Sequence, residues 1–177
     1  MLERRKSLDV PPERRRVRSR IAFRRKTDDL SAILPRLNKW WDAFCRQHGT
    51  EPRSPLCEEF GYHVVELVKN GAMAADRVEV SAVVRRGFLG AVIVDDGPGI
   101  GDLDFALRSS MGQGHGLQSA IDFADWIAIR SSGWAFEKAG KGQRKRLART
   151  NRGTRIEIAK QRQEPKNPVF ANRSRGK

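Results

Sequence analysis

Long apolar runs, cysteine, histidine and acidic side chains are all scarce in this chain, and each scarcity removes a class of protein. No stretch approaches the ~18–20 consecutive apolar residues of a membrane-spanning helix. The opening MLERRKSLDVPPERRRVRSR carries charge where a secretory signal needs its apolar centre, so the expected location is cytoplasmic. Two cysteines, Cys45 and Cys57, stand twelve positions apart, with neither metal-ligand spacing nor the density of a disulfide scaffold, and both are expected to be free thiols. The histidines His48, His63 and His115 are scattered along the chain, and no cysteine, serine and histidine constellation of a hydrolase accompanies them. Internal repeats are absent as well.

Acidic residues are outnumbered by 35 Lys+Arg to 21 Asp+Glu, a formal net charge of +14. The excess is concentrated in residues 4–26, 138–152 and 160–177, while the middle of the chain is nearly balanced. This distribution suggests basic arms on an ordinary globular body, and such arms either attract nucleic acid or acidic partners without specificity or remain solvated. Residues 1–18 hold charges, a Pro-Pro pair and almost no aromatics, too little to offset the entropy of ordering, and are expected to be disordered. A length of 177 residues suits one domain with one site.

Between the arms, periodicity assigns the elements. RSRIAFRRK alternates around Ile21 and Phe23 as a short edge strand does. Asp28 or Asp29 caps a helix to about His48, with Leu30, Ile33, Leu34, Leu37, Trp40, Trp41 and Phe44 at helical spacing and Gly49 as its stop. Ser54-Pro55 opens a second helix to about Ala75 with the stripe Leu56, Phe60, Val64, Leu67 and Val68. RVEVSAVVRR and FLGAVIVDD form a hairpin about Gly87, GHGLQSAIDFAD a third helix, WIAIRSS and GTRIEIA two further strands, and residues 133–152 an exposed basic loop. Massed helices and hairpin-joined strands favour a two-layer α/β sandwich over a doubly wound parallel sheet.

Three features offer chemistry. Glu66 and Asn70, one helical turn apart, point a carboxylate and an amide oxygen into the same volume, suited to polarising a hydroxyl and to holding Mg²⁺, or simply form a solvated stripe. Asp95-Asp96-Gly97-Pro98-Gly99-Ile100 is a D-x-G-x-G turn after an apolar strand, where a fixed carboxylate can accept from an exocyclic amine and glycines admit a flat ligand, or it is an ordinary turn. Gly112-Gln113-Gly114-His115-Gly116-Leu117 opens a helix, where backbone N–H groups favour an anion. That cluster lacks the Lys-Ser/Thr ending of a P-loop and does not follow a first strand, which argues against both common nucleotide folds.

The order of these boxes, E-x-x-x-N helix, hairpin, D-x-G-x-G, G-x-G-L, strand and Gly153-Thr154 before the last strand, resembles the GHKL ATPase superfamily over about residues 20–160. The stretch DDGPGIGDLDFALRSSMGQGHGLQSAIDFADWIAIRSS is most similar to bacterial anti-sigma factor and stressosome serine-protein kinases. The resemblance implies a GHKL/Bergerat-type two-layer α/β sandwich with a mixed, mostly antiparallel sheet over residues 19–160, between basic arms at 1–18 and 161–177. It further implies ATP and Mg²⁺ as cofactors, with Asn70 on the metal and Glu66 as catalytic base. Asp95, Gly97 and Gly99 would face adenine, Gly114, Gly116 and Leu117 would form the phosphate-facing lid edge, and Thr154 would stand near adenine. Lys69 is either a phosphate contact or a solvated lysine.

The implied activity is transfer of the ATP γ-phosphate to a serine or threonine of a regulatory protein, of the kind that controls a sigma factor or a phosphatase, with room for a homodimer. A nucleotide-gated binding module whose basic arms contact nucleic acid or an acidic protein is the alternative. Two departures stand out: Gly71 replaces the usual alanine after the asparagine, and Ala74 occupies a position where many relatives have histidine. Residues 134–152 form an insertion where relatives have a tight turn.

Overall fold

The computed structural model describes residues 19–24, 29–48, 50–85, 87–102, 104, 106, 115–148 and 152–162. The disordered arm expected at 1–18, the stop at Gly49 and Gly114 of the lid lie outside the described residues. Strand β1 spans Ser19–Arg24, followed by helices α1 (Leu30–Gln47) and α2 (Pro55–Ala74). The hairpin β2 (Arg77–Arg85) and β3 (Phe88–Asp95) leads to helix α3 (His115–Phe123) and strands β4 (Trp126–Ser131), β5 (Trp134–Ala139), β6 (Gly142–Leu147) and β7 (Thr154–Gln161). The chain is therefore α/β, its seven strands in the order β1-β2-β3-β7-β4-β5-β6.

Local chemistry sets the helix boundaries. Asp29 caps α1 by accepting the Ala32 N–H at 2.9 Å, and Ser54 caps α2 with Pro55 at its first position. Trp41 of α1 stacks on Phe60 of α2 with ring centroids 5.4 Å apart, and its indole N–H donates to the Cys57 carbonyl at 3.1 Å. Beside this stack the Cys45 and Cys57 sulfurs meet at 3.2 Å as buried free thiols. The Trp40-Trp41 pair thus belongs to the core and its margin, Trp40 donating to the Ser19 hydroxyl.

Alternation along the strands decides which face the helices cover. Phe23, Val78, Val80, Ile93, Ile127, Ile129, Ile156 and Ile158 are buried at one parity, and α1, α2 and α3 attach to that parity. Trp40 of α1 reaches Ser19, and Gly71 of α2 approaches Val78 and Asp95. Lys138 of β5 and Lys160 of β7 donate to carbonyls at the end of α3, namely Ile121, Asp122 and Ala124 for Lys138 and Phe123 for Lys160. Since α3 has no basic residue in its own last turn, these lysines supply the cations that its orphan carbonyls favour.

Two sequence expectations are corrected. Every described strand pairing is antiparallel, so the sheet is not mixed among these strands. The exposed loop at 133–152 and the insertion at 134–152 are instead largely the hairpin β5–β6. Trp134, Ala135 and Phe136 are buried, and Ser132-Gly133 turn the chain from β4 to β5 with φ of 42° and 86°, the double positive φ of a primed hairpin turn. Sheet also extends further than expected at the C-terminal end, since β7 continues through Gln161 and the Arg162 N–H bonds the Gly87 carbonyl.

Packing of α1 on α2 yields a direct test. A Cβ built on Gly61 would stand 2.7 Å from Trp41 Nε1 and 2.9 Å from Cδ1, inside a stacked and hydrogen-bonded ring. Alanine favours a helix interior over glycine by about 1 kcal/mol, whereas overpacking a core costs about 1–3 kcal/mol. Gly61→Ala is therefore expected to lower stability by about 1 kcal/mol in urea unfolding. A raised midpoint would show that the Trp41 ring is not fixed against α2.

Candidate nucleotide site

The D-x-G-x-G segment leaves the end of β3, and its first carboxylate is held by backbone. Asp95 Oδ1 accepts the Gly97 N–H at 3.0 Å and the Thr154 N–H at 3.1 Å, joining its own turn to the start of β7. β7 can begin this close because residue 153 is glycine: its φ is 87°, and a Cβ there would collide with the Asp95 carbonyl. Burial pushes the Asp95 carboxyl above the usual carboxylate range, against the opposing pull of hydrogen bonds from Gly97 and Thr154. A partly desolvated carboxylate at a strand end is a strong acceptor for a polar ligand group, since water competes less for it.

Sequence reasoning named Thr154 but not the side-chain contacts that brace this turn. The Thr154 hydroxyl shares a 3.0 Å hydrogen bond with the Ser131 hydroxyl, and Ser131 Oγ accepts the Ile100 N–H at 2.7 Å. Ser132 donates to the Pro98 carbonyl at 2.9 Å, and the Trp134 indole donates to the Ile100 carbonyl at 2.7 Å. The β4–β5 corner therefore grips the segment from Pro98 to Ile100, with Gly99 seated against Ser131 and Ser132. The available signal was the pair Ser131-Ser132 ending an apolar strand with Trp134 just beyond, which alternation alone treats as a turn.

The second half of the site lies where α2 meets the start of α3. A Cβ on Gly116 would stand 3.2 Å from Glu66 Cβ, 3.3 Å from Asn70 Nδ2 and 3.7 Å from Glu66 Oε2. The E-x-x-x-N pair and the glycine-opened helix are thus brought together. Glu66 Oε1 also accepts Lys69 Nζ at 2.8 Å, and this partner raises the lysine further above neutrality. Lys69 therefore forms an ion pair with Glu66 while its side chain stays 34% exposed.

Gly71 connects the two halves. A side chain there would come to 3.1 Å from Val78 Cγ2 and 3.6 Å from Asp95 Oδ2, so its absence lets α2 lie directly on the end of β3. Gly97 approaches the other side of the helix end, its Cβ position 2.9 Å from the Ala74 carbonyl. The chain accordingly gathers Glu66, Asn70, Asp95, Gly97, Gly116 and Thr154 around the C-terminal half of α2, with Gly99 on the outer limb of the turn. Leu117 is buried in the core, where it anchors α3, and His63 is buried against Phe123, their ring centroids 4.5 Å apart. Among the described residues no three His, Cys, Asp or Glu side chains gather as a ready metal site. An amide oxygen such as that of Asn70 suits Mg²⁺ only in company with ligand phosphates and water. No described protein family matches the chain, and no match is found among curated proteins.

The raised Asp95 carboxyl has a pH consequence. A folded-state pKa above the unfolded one means that the folded chain binds the proton more tightly. The corresponding stability is full below the ordinary aspartate range and is lost as pH rises through the raised value. Asp95→Asn keeps an oxygen for the Gly97 and Thr154 N–H groups and removes the buried charge. Urea unfolding is expected to show the variant gaining on the wild type as pH rises from about 3.5 to about 7. A stability difference independent of pH would mean that burial does not perturb this carboxyl.

Proposed function

We propose that the chain is a Mg²⁺-dependent ATP-binding domain with the two-layer α/β arrangement of the GHKL type, acting as a protein serine/threonine kinase on a regulatory partner. The observation that carries the reading is the convergence, around one helix, of boxes that are far apart in sequence: Glu66 and Asn70 beside Gly116, and Asp95 with Gly97 and Thr154 one turn further on. The antiparallel sheet and the helices massed on one of its parities are compatible with that architecture.

In this reading adenine presents its exocyclic 6-amine to Asp95, at a position where guanine carries a carbonyl oxygen. The triphosphate runs along α2 toward the start of α3, where backbone N–H groups and the helix dipole favour negative charge. Asn70 would hold Mg²⁺, and the ion would neutralise charge on the phosphates when bound. Glu66 then accepts the proton of the attacking hydroxyl, its carboxylate held by the ion pair with Lys69. The alternative reading, a nucleotide-gated binding module with little or no catalysis, draws support from the exposed basic side chains of β6.

Mutation of α2 separates the roles. Glu66→Ala is expected to bind Mg²⁺-ATP nearly as well as the wild type but to turn it over about 10²–10⁴-fold more slowly, the usual contribution of a positioned general base. Asn70→Ala should impair both binding and turnover. Calorimetry and ADP release measure the two quantities; two variants indistinguishable from wild type would reduce the pair to a solvated stripe and favour the binding module.

A further inference from the structure

We infer that the outward face of β4, β5 and β6 is a binding surface for single-stranded nucleic acid, built from Arg130, Arg144 and Arg146 and separate from the proposed nucleotide site. The strand register creates it. Arg130 pairs with Ala135, which pairs in turn with Arg146, so these three residues form one row across β4, β5 and β6. Arg144 stands two residues from Arg146 on the same face of β6, opposite Glu137. Arg155 extends the Arg130 row onto β7. Neighbouring strands lie about 4.8 Å apart and successive same-face residues about 7 Å apart, so the arginines span a patch wide enough for several phosphates.

This parity is opposite to the one that carries Asp95, Thr154, Ser131 and the lysines that bind α3. Arg130, Arg144, Arg146 and Arg155 are all exposed. Arg155 is paired to Glu157 at 2.8 Å, while Arg130, Arg144 and Arg146 form no ion pair with any described residue. The acids on the face are Glu137 and Glu157, and Glu137 also accepts the Trp126 indole N–H. Cation therefore exceeds acid by four to two at these positions.

Charge complementarity identifies an anionic occupant, and side-chain chemistry narrows it to nucleic acid. The cations are guanidinium groups without a lysine among them, and their planar forks match phosphate oxygens two at a time. A shallow depression among them is floored by Ala128 and Ala135. Half-buried Trp126, on the same face of β4, adds the aromatic neighbour typical of single-strand binders. A sheet face of this shape contacts an extended single strand more readily than the grooves of a duplex.

The 177-residue chain is titrated into a fluorescein-labelled oligodeoxythymidylate of ~20 nucleotides, and anisotropy is followed across a range of salt. Replacing Arg130, Arg144 and Arg146 together by Gln is expected to weaken binding at least tenfold and to flatten the log–log salt slope by about 2, the loss of three phosphate contacts on a single strand. Mg²⁺-ATP affinity should not change. A charge-matched control, Lys39→Gln with Arg46→Gln and Arg53→Gln on the helix side, should retain most of the affinity. Circular dichroism reports the fold of both variants, and single replacement of Arg130 or Arg146, each expected to flatten the slope by about 0.7, serves if the triple variant does not fold. Equal losses in the sheet-face variant and the control would overturn the proposal in favour of diffuse charge. No loss in the sheet-face variant would assign binding to the basic arms, and displacement of the oligonucleotide by poly-glutamate as readily as by unlabelled oligonucleotide would assign the face to acidic proteins.

Discussion

A single carboxylate organises this fold. Asp95 stands at the end of a core strand, and Gly97 and Thr154 clamp its Oδ1 with backbone N–H groups from two different segments. That clamp fixes the exit of β3, the entry of β7 and, through Thr154, the hydroxyl of Ser131 at the end of β4. Three strands that are remote in sequence are thus joined at one end by a linked set of side chains, Asp95, Thr154 and Ser131. The interaction also carries a cost, because the carboxyl is partly withdrawn from water. A ligand-facing role would make use of such an acid, and this motivates the proposed contact with adenine.

Helix α2 is the second organising element. Its inward stripe packs on the sheet and on Trp41 of α1, while its C-terminal half approaches Asp95 through Gly71 and the start of α3 through Glu66 and Asn70. Packing and chemistry thus share one helix, and a displacement of α2 would disturb both. The close approaches at Gly71, Gly97 and Gly116 explain why residues without side chains gather here: each lies between about 2.9 and 3.3 Å from its nearest neighbour when a Cβ is added.

Much of this was legible from sequence, for identifiable reasons. Asp29 and Ser54 announce their helices through local capping chemistry, and the run of apolar residues about Gly87 announces a hairpin whose turn glycine has φ of 75°. β6 was not legible. Gly142–Leu147 is exposed along its whole length, so no apolar alternation marks it, and it is strand only because its backbone pairs with β5. β5 itself is signalled by buried Trp134 and Phe136, a two-residue period too brief to stand out beside the basic sequence that follows. Lys138 and Lys160 read as solvated charge, yet they end α3 from distant strands, a contact that no local pattern encodes. Within the site, the pairing of Glu66 with Asn70 was visible as helical spacing, whereas the brace of Ser131, Ser132 and Trp134 depended on tertiary approach.

The reading of Asp95 as an adenine acceptor is tested most directly by changing the base and leaving the protein untouched. Inosine triphosphate replaces the exocyclic amine of ATP with a carbonyl oxygen and leaves the sugar and phosphates unchanged. Calorimetric titration in Mg²⁺ should show ATP bound at one site and inosine triphosphate bound roughly tenfold or more weakly, as expected when a hydrogen bond to a charged, partly buried group is lost. Equal affinity for the two nucleotides, or no binding of ATP by the folded protein, would contradict it.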